Sequence, residues 1–178
     1  LLSSPVNYIS YEVRSLDKRA HDVQIYFSAT PKWAVNSPEQ EVSVESYQSS
    51  GIHVLKTGTL EQNVLGKSGD IICIDWGYFY LAGKQTEASD MSMGAPVSIQ
   101  KSFAEKGILP VTKTTRTSAR LDKDETLLAY SENMGNVKEQ KAEGYLMIGY
   151  DDIASVQYFG QNLKAYWKKK YPTMEAAL

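Results

Sequence analysis

The sequence predicts a mainly β protein, an antiparallel β-sandwich with one or two short helices, the last of them at the C-terminus. Three observations point there. Apolar residues alternate with polar ones at period two in several segments, as half-buried strands require. Twelve tyrosines and three tryptophans against four phenylalanines favour a pleated surface, where such aromatics fit. Helical spacing is confined to a stretch near residue 100 and another near the C-terminus.

In chain order, residues 6–15 place Asn7, Ile9, Tyr11 and Val13 on one face of a first strand. Asp17-Lys18-Arg19 reads as a turn, and 21–29 as a second strand with Val23, Ile25 and Phe27 on its apolar face. The two strands are expected to pair as an antiparallel hairpin. Thr30-Pro31 breaks the second strand, Trp33-Ala34-Val35 follows, and Asn36-Ser37-Pro38 turns the chain. Val42 and Val44 mark a third strand, and Ile52, Val54 and Lys56 a fourth. Gly58 and the 66–69 cluster Gly-Lys-Ser-Gly bound short segments. Residues 70–82 are apolar on both faces and predict a central strand covered on both sides. Residues 84–96 read as a polar loop, and 98–106 as a short helix with Ile99 and Phe103 stacked and Gly107 ending it. The Thr/Arg/Lys-rich 110–123 reads as an exposed strand or loop. Residues 126–131 and 144–150 are strands joined through a loop at Gly135-Asn136. Leu163, Tyr166 and Trp167 sit at helical spacing and predict a closing amphipathic helix that docks on a neighbour.

Composition narrows the function classes. With 42% hydrophobic and 22% charged residues, the 178-residue chain is neither disordered nor fibrous and is long enough for one core. A formal charge of −2 argues against a polyanion binder, so no nucleic acid is expected. Cys73 is the sole cysteine, which excludes an internal disulfide. No apolar stretch reaches the roughly 20 residues that span a bilayer. The opening Leu1-Leu2-Ser3-Ser4-Pro5 lacks the charged and apolar regions of a signal peptide.

Residue chemistry nominates no catalytic, metal or cofactor site. Asp151 and Asp152 are adjacent, and neighbours on a strand face opposite ways, so a turn role is expected over paired acid–base work. His21 and His53 lack partners at metal-ligand spacing, and Cys73 lies in the most apolar segment, where a thiol packs inertly. Lys168-Lys169-Lys170 reads as a solvated helix end. What remains is aromatic. Trp76, Tyr78 and Tyr80 share one face of the expected central strand, and Tyr166 and Trp167 mark the closing helix. Asp75 could hold hydroxyl groups only if that strand is irregular there, since regular alternation turns it to the other face. These six are the candidate ligand or interdomain surface. The aromatic face would serve either a dry interdomain contact or, as an alternative, a carbohydrate-binding platform for a glycan.

Four stretches carry a family resemblance. They are residues 21–27 (His-Asp-Val-Gln-Ile-Tyr-Phe), 33–36 (Trp-Ala-Val-Asn), 75–80 (Asp-Trp-Gly-Tyr-Phe-Tyr), and the terminal run from Gly149-Tyr150-Asp151-Asp152-Ile153 through Tyr158-Phe159-Gly160 to Tyr166-Trp167. In this order they resemble the β domain of glutaminase A-type proteins, large secreted or envelope-associated proteins of bacteria and fungi. The resemblance implies that residues 1–178 form one β-sandwich domain, with 161–178 a helix and linker toward an all-helical catalytic domain in the same polypeptide. It implies a non-catalytic, accessory role in a hydrolase that converts L-glutamine to glutamate and ammonia, with no catalytic residue and no cofactor assigned to this chain. It implies an extracellular, periplasmic or cell-envelope location. It also implies a further strand ahead of Leu1; without it, an unpaired edge would invite self-association.

Overall fold

The computed structural model describes residues 3–112 and 114–178. Leu1 and Leu2 of the leader reading, and Lys113 within the 110–123 stretch, lie outside the described residues. Eleven strands are present among the described residues: β1 (Val6–Val13), β2 (His21–Ala29), β3 (Glu41–Ser49), β4 (Ile52–Thr59), β5 (Tyr78–Lys84), β6 (Ser89–Gly94), β7 (Arg116–Arg120), β8 (Leu127–Val137), β9 (Ala142–Asp151), β10 (Val156–Tyr158) and β11 (Gln161–Leu163). Two short helices, α1 (Pro96–Lys106) and α2 (Met174–Ala177), accompany them, with 3₁₀ turns at Pro31–Ala34 and Tyr166–Lys169.

The strands form an antiparallel sandwich, as expected. A six-stranded sheet of order β1-β9-β5-β4-β3-β7 faces a three-stranded sheet of order β2-β8-β6, and β10-β11 is a separate hairpin. The core between the sheets takes Val44, Leu55, Phe79, Leu81 and Leu146 from the larger sheet and Ala29, Met91, Met93, Leu128 and Tyr130 from the smaller. β5 is central and buried on both faces, because Phe79 and Leu81 point to this core while Tyr80 and Ala82 point outward into a second one. That outer cluster joins Val6, Val54 and Met147 to Trp167 and Met174, so the chain's own last segment covers the larger sheet. On the far side, α1 covers the smaller sheet through Ile99, which packs with Leu109 and Ala129. Gly107 ends α1 at φ 67, a left-handed position that favours glycine, and its N–H donates to Phe103 O at 2.8 Å.

Several expectations need correction. β1 and β2 do not form a hairpin: β1 pairs with β9 (Val6 opposite Gly149) and β2 with β8 (His21 opposite Val137), in different sheets. A period-two pattern sets which side of a strand is buried but not its partner, and here both partners lie far along the chain. The central strand begins at Tyr78, eight residues later than its apolar pattern suggests; residues 70–77 are irregular, with Ile71, Ile72 and Ile74 exposed. Cys73 is exposed among them rather than packed inertly as its apolar neighbours suggested. The 84–96 loop contains β6, whose Met91, Ser92 and Met93 are buried. Gly135 and Asn136 lie within β8 beside a register shift opposite Val23, and the β8–β9 connection is 138–141. Finally, Leu163 belongs to β11 and Tyr166–Trp167 to a 3₁₀ turn, while the C-terminal helix is the single turn Met174–Ala177. The closing segment therefore docks on its own sheet.

The two sheets are also joined by polar groups. Tyr11 and Tyr130 both donate to the Glu132 carboxylate, the latter at 2.8 Å. Burial, with hydrogen bonding to Glu132, pushes the Tyr130 hydroxyl up to about 12 and Tyr11 higher still. Burial raises Tyr47, Tyr80 and Tyr150 as well. A folded-state value above the ordinary one near 10 means that the native state holds protons the unfolded chain releases. The stabilisation is complete below pH ~10 and declines as the pH climbs toward the folded values. Absorbance titration at 295 nm should show these five of the twelve tyrosines ionising only together with loss of circular dichroism. Twelve independent titrations near pH ~10 in a folded protein would contradict the packing.

Candidate functional site

One end of the sandwich gathers the nominated residues. The chain enters β5 from the long 60–77 loop and leaves β9 into 152–163, and Tyr78 stands opposite Asp151 where the two strands meet. Trp76 is buried at 7% exposure, and its indole N–H donates to Ala154 O at 3.1 Å, tying one loop to the other. The Tyr150 hydroxyl donates to Trp76 O at 2.7 Å.

Asp75 is buried at 1% exposure and sits off the strand, as a hydroxyl-binding role would need. Its carboxylate is engaged, however: Oδ2 accepts from Lys67 Nζ at 2.8 Å and Gln40 Nε2 at 2.9 Å. Oδ1 is buried with no hydrogen-bond partner among the described residues. Burial opposes the charge, yet the bonds from Lys67 and Gln40 and the Lys67 charge outweigh it and hold the carboxyl below its ordinary value. The group is thus ionised and an acceptor at neutral pH, not a proton donor. The Thr59 hydroxyl donates to Asp75 O at 2.6 Å, which leaves it engaged rather than free as a nucleophile. Gln40 is the hub: its Oε1 also accepts from the N–H groups of Asn36 (2.7 Å) and Ser37 (3.0 Å). Asn36 in turn accepts from the Cys73 N–H at 3.0 Å, fastening the 60–77 loop to the 31–40 loop. A surface depression of about 380 Å³ lies beside this network, lined by Gln40, Thr59, Arg120 and the carboxylates of Glu39, Glu41 and Glu61.

Because the folded-state value of Asp75 lies below the unfolded one, its contribution is present above pH ~4 and lost as the pH falls through the folded value. Asp75→Asn should cost about 1–2 kcal/mol at pH 7, at the low end for a charged hydrogen bond because Lys67 is partly exposed. Urea midpoints of the two proteins should converge on acidification; a constant gap would contradict the ionised assignment.

Gly77 separates Trp76 from Tyr78 at φ 84, and this positive value breaks the alternation on which the shared aromatic face depended. Tyr78 is half-buried with Lys56 Nζ 3.9 Å from its ring centroid, and Tyr80 is buried under Trp167 and Met174. Trp76, Tyr78 and Tyr80 therefore do not form the open stacking platform that the glycan alternative requires. Trp167 is buried too, and of the six nominated residues Tyr166 alone is mainly exposed. Asp151 closes the site: its carboxylate accepts from the Ile153 N–H at 2.9 Å, the expected turn role, and pairs with Lys168 at 2.6 Å. Lys168 is thus no solvated helix end. The histidines lie apart, His21 against Asp17 (2.8 Å) and His53 against Ser46 (2.8 Å). Among the described residues no group of three His, Cys, Asp or Glu could hold a metal ion, and no helix is long and apolar enough to cross a membrane.

Sequence reasoning missed Gln40, Gln62 and Lys67. Gln62 brackets the Gly77 peptide, accepting from its N–H at 2.6 Å and donating to its carbonyl at 3.0 Å. No spacing rule exposes such contacts, since an isolated glutamine in a loop carries no periodic signal.

Fold and site define a two-sheet β domain whose buried polar groups order loops at one end. The chain belongs to the family described as a domain of unknown function, DUF5127, whose model matches residues 1–178. It is also similar to Glutaminase A of Aspergillus oryzae (strain ATCC 42149 / RIB 40), with 24% identity over 177 residues. That match covers 97% of this chain but 25% of the relative, so the chain spans about a quarter of the length of the curated protein it matches.

Proposed function

We propose that this domain is a non-catalytic accessory module of a glutaminase-like amidohydrolase, packing against a catalytic domain of the same polypeptide. The observation that carries this reading is the coverage: nearly the whole chain aligns with one quarter of a protein named Glutaminase A. The engagement of Asp75, Thr59 and Asp151 in loop-ordering bonds supports it, since each is occupied by structural partners. A helical architecture for the partner, and a location in the envelope or outside the cell, belong to the same proposal and rest on the family resemblance. Ammonia release from L-glutamine tests it: the longer polypeptide should release ammonia, and residues 1–178 alone should not. Release by the isolated domain would overturn the reading.

A further inference from the structure

The hairpin β10-β11 does not look built for water. From Ile153 to Leu163 the sequence carries no charged residue, and all six strand positions are exposed. Val156, Tyr158 and Leu163 are exposed, and Phe159 at the tip is 89% exposed. A two-stranded ribbon exposed at every strand position is marginal in water. The turn makes this worse: Phe159 and Gly160 stand at φ 46 and 75, and the first position of such a turn favours Asn, Asp or Gly. A bulky aromatic at positive φ costs stability locally, so the side chain serves something other than the turn.

The same end carries a second apolar run. Residues 71–74, Ile-Ile-Cys-Ile, are exposed in sequence, with Ile71 97% exposed. Consecutive exposed apolar residues of this kind are out of place on a free surface. The Trp76–Ala154 bond holds this loop to the stem of the hairpin. Elsewhere the apolar faces are already covered, the larger sheet by residues 165–178 and the smaller by α1. Leu16 and Val97 are exposed with no exposed large apolar residue next to them in sequence, which is ordinary.

We propose that this loop end is the docking surface for a second domain of the same polypeptide, with the 156–163 hairpin as its anchor. The inference rests on the accessory-domain reading and adds the surface to it. The 71–74 and 153–163 runs carry no charge, and a charge-free, aromatic-bearing patch matches the core of a protein interface rather than a site for a polar ligand. The curated relative is about four times as long as its matched region, which supplies the occupant.

Cys73, exposed within the 71–74 run, is the reporter. In the longer polypeptide, maleimide labelling of Cys73, read by peptide mass spectrometry, should be about tenfold slower than in the Tyr158→Asp/Phe159→Asp variant. Calorimetry of the same samples should show the domains melting together in the parent and separately in the variant. Rapid labelling of Cys73 in the parent, with the domains still melting together, would overturn the docking surface and leave the accessory reading standing. Separate melting in the parent would overturn both. Protection that grows with protein concentration would assign the surface to a second copy and overturn the proposal.

Discussion

Replacing Gly77 with alanine should lower the melting temperature by about 10 °C, with the unfolding transition still cooperative. A Cβ at this position would fall inside van der Waals contact with the Asp151 carbonyl oxygen and 2.8 Å from Asp152 Cα. Both obstacles are backbone, so no side-chain rotation relieves them. The φ of 84 adds the strain of a left-handed conformation on a residue with a side chain. Strain of about 1 kcal/mol and overpacking of about 1–3 kcal/mol sum to a substantial part of a domain's net stability. For a domain of this size each kcal/mol shifts melting by about 2–4 °C. The effect should also reach the loops, because the Gly77 peptide is held by Gln62 and lies next to Trp76. Hydrogen exchange in 60–77 and 152–155 should accelerate more than in β8. An unchanged melting point would mean that β5 and β9 do not approach as described.

The second large effect is expected at Lys168. Its ammonium lies within 2.6 Å of Asp151, with both side chains largely buried. Lys168→Met should cost about 3 kcal/mol, because removing one partner strands a buried carboxylate. Asp151→Asn should cost less, since the lysine stem lets its charge reach water and an asparagine still accepts from the Ile153 N–H. In the Lys168→Met/Asp151→Asn pair much of the loss should return, giving a coupling that a double-mutant cycle measures by urea denaturation. Simple additivity would contradict a direct pair. Because Lys168 adjoins Trp167, the single variant should also loosen the segment that covers Tyr80 and Met147.

These two positions show what the sequence could and could not convey. The α1 helix was legible because its cues are local: Ile99 and Phe103 four apart, and a glycine at the stop. The burial of β5 on both faces was legible from its uninterrupted apolar run. Strand partners were not, because Val6 meets Gly149 across nearly the whole chain and periodicity carries no address. β6 was hidden by weak strand formers, Met and Ser, which tertiary burial overrides. The closing segment misled for a physical reason. Leu163, Tyr166 and Trp167 have helical spacing, but the Phe159-Gly160 turn commits Leu163 to a hairpin. Trp167 then satisfies its apolar surface on the domain's own sheet rather than on a neighbour. At the site, the aromatic and acidic residues could be named from sequence. The Gln40, Gln62 and Lys67 contacts that fix them depend on loops whose paths only the fold defines.

The central claim, that these residues form a supporting domain for chemistry located elsewhere in the polypeptide, is tested most directly by deletion. Removing residues 1–178 from the longer polypeptide and following the melting and glutamine hydrolysis of the remainder gives a clear reading. A fall in melting temperature with reduced ammonia release is the predicted result. Unchanged melting and full activity in the truncated protein would contradict it.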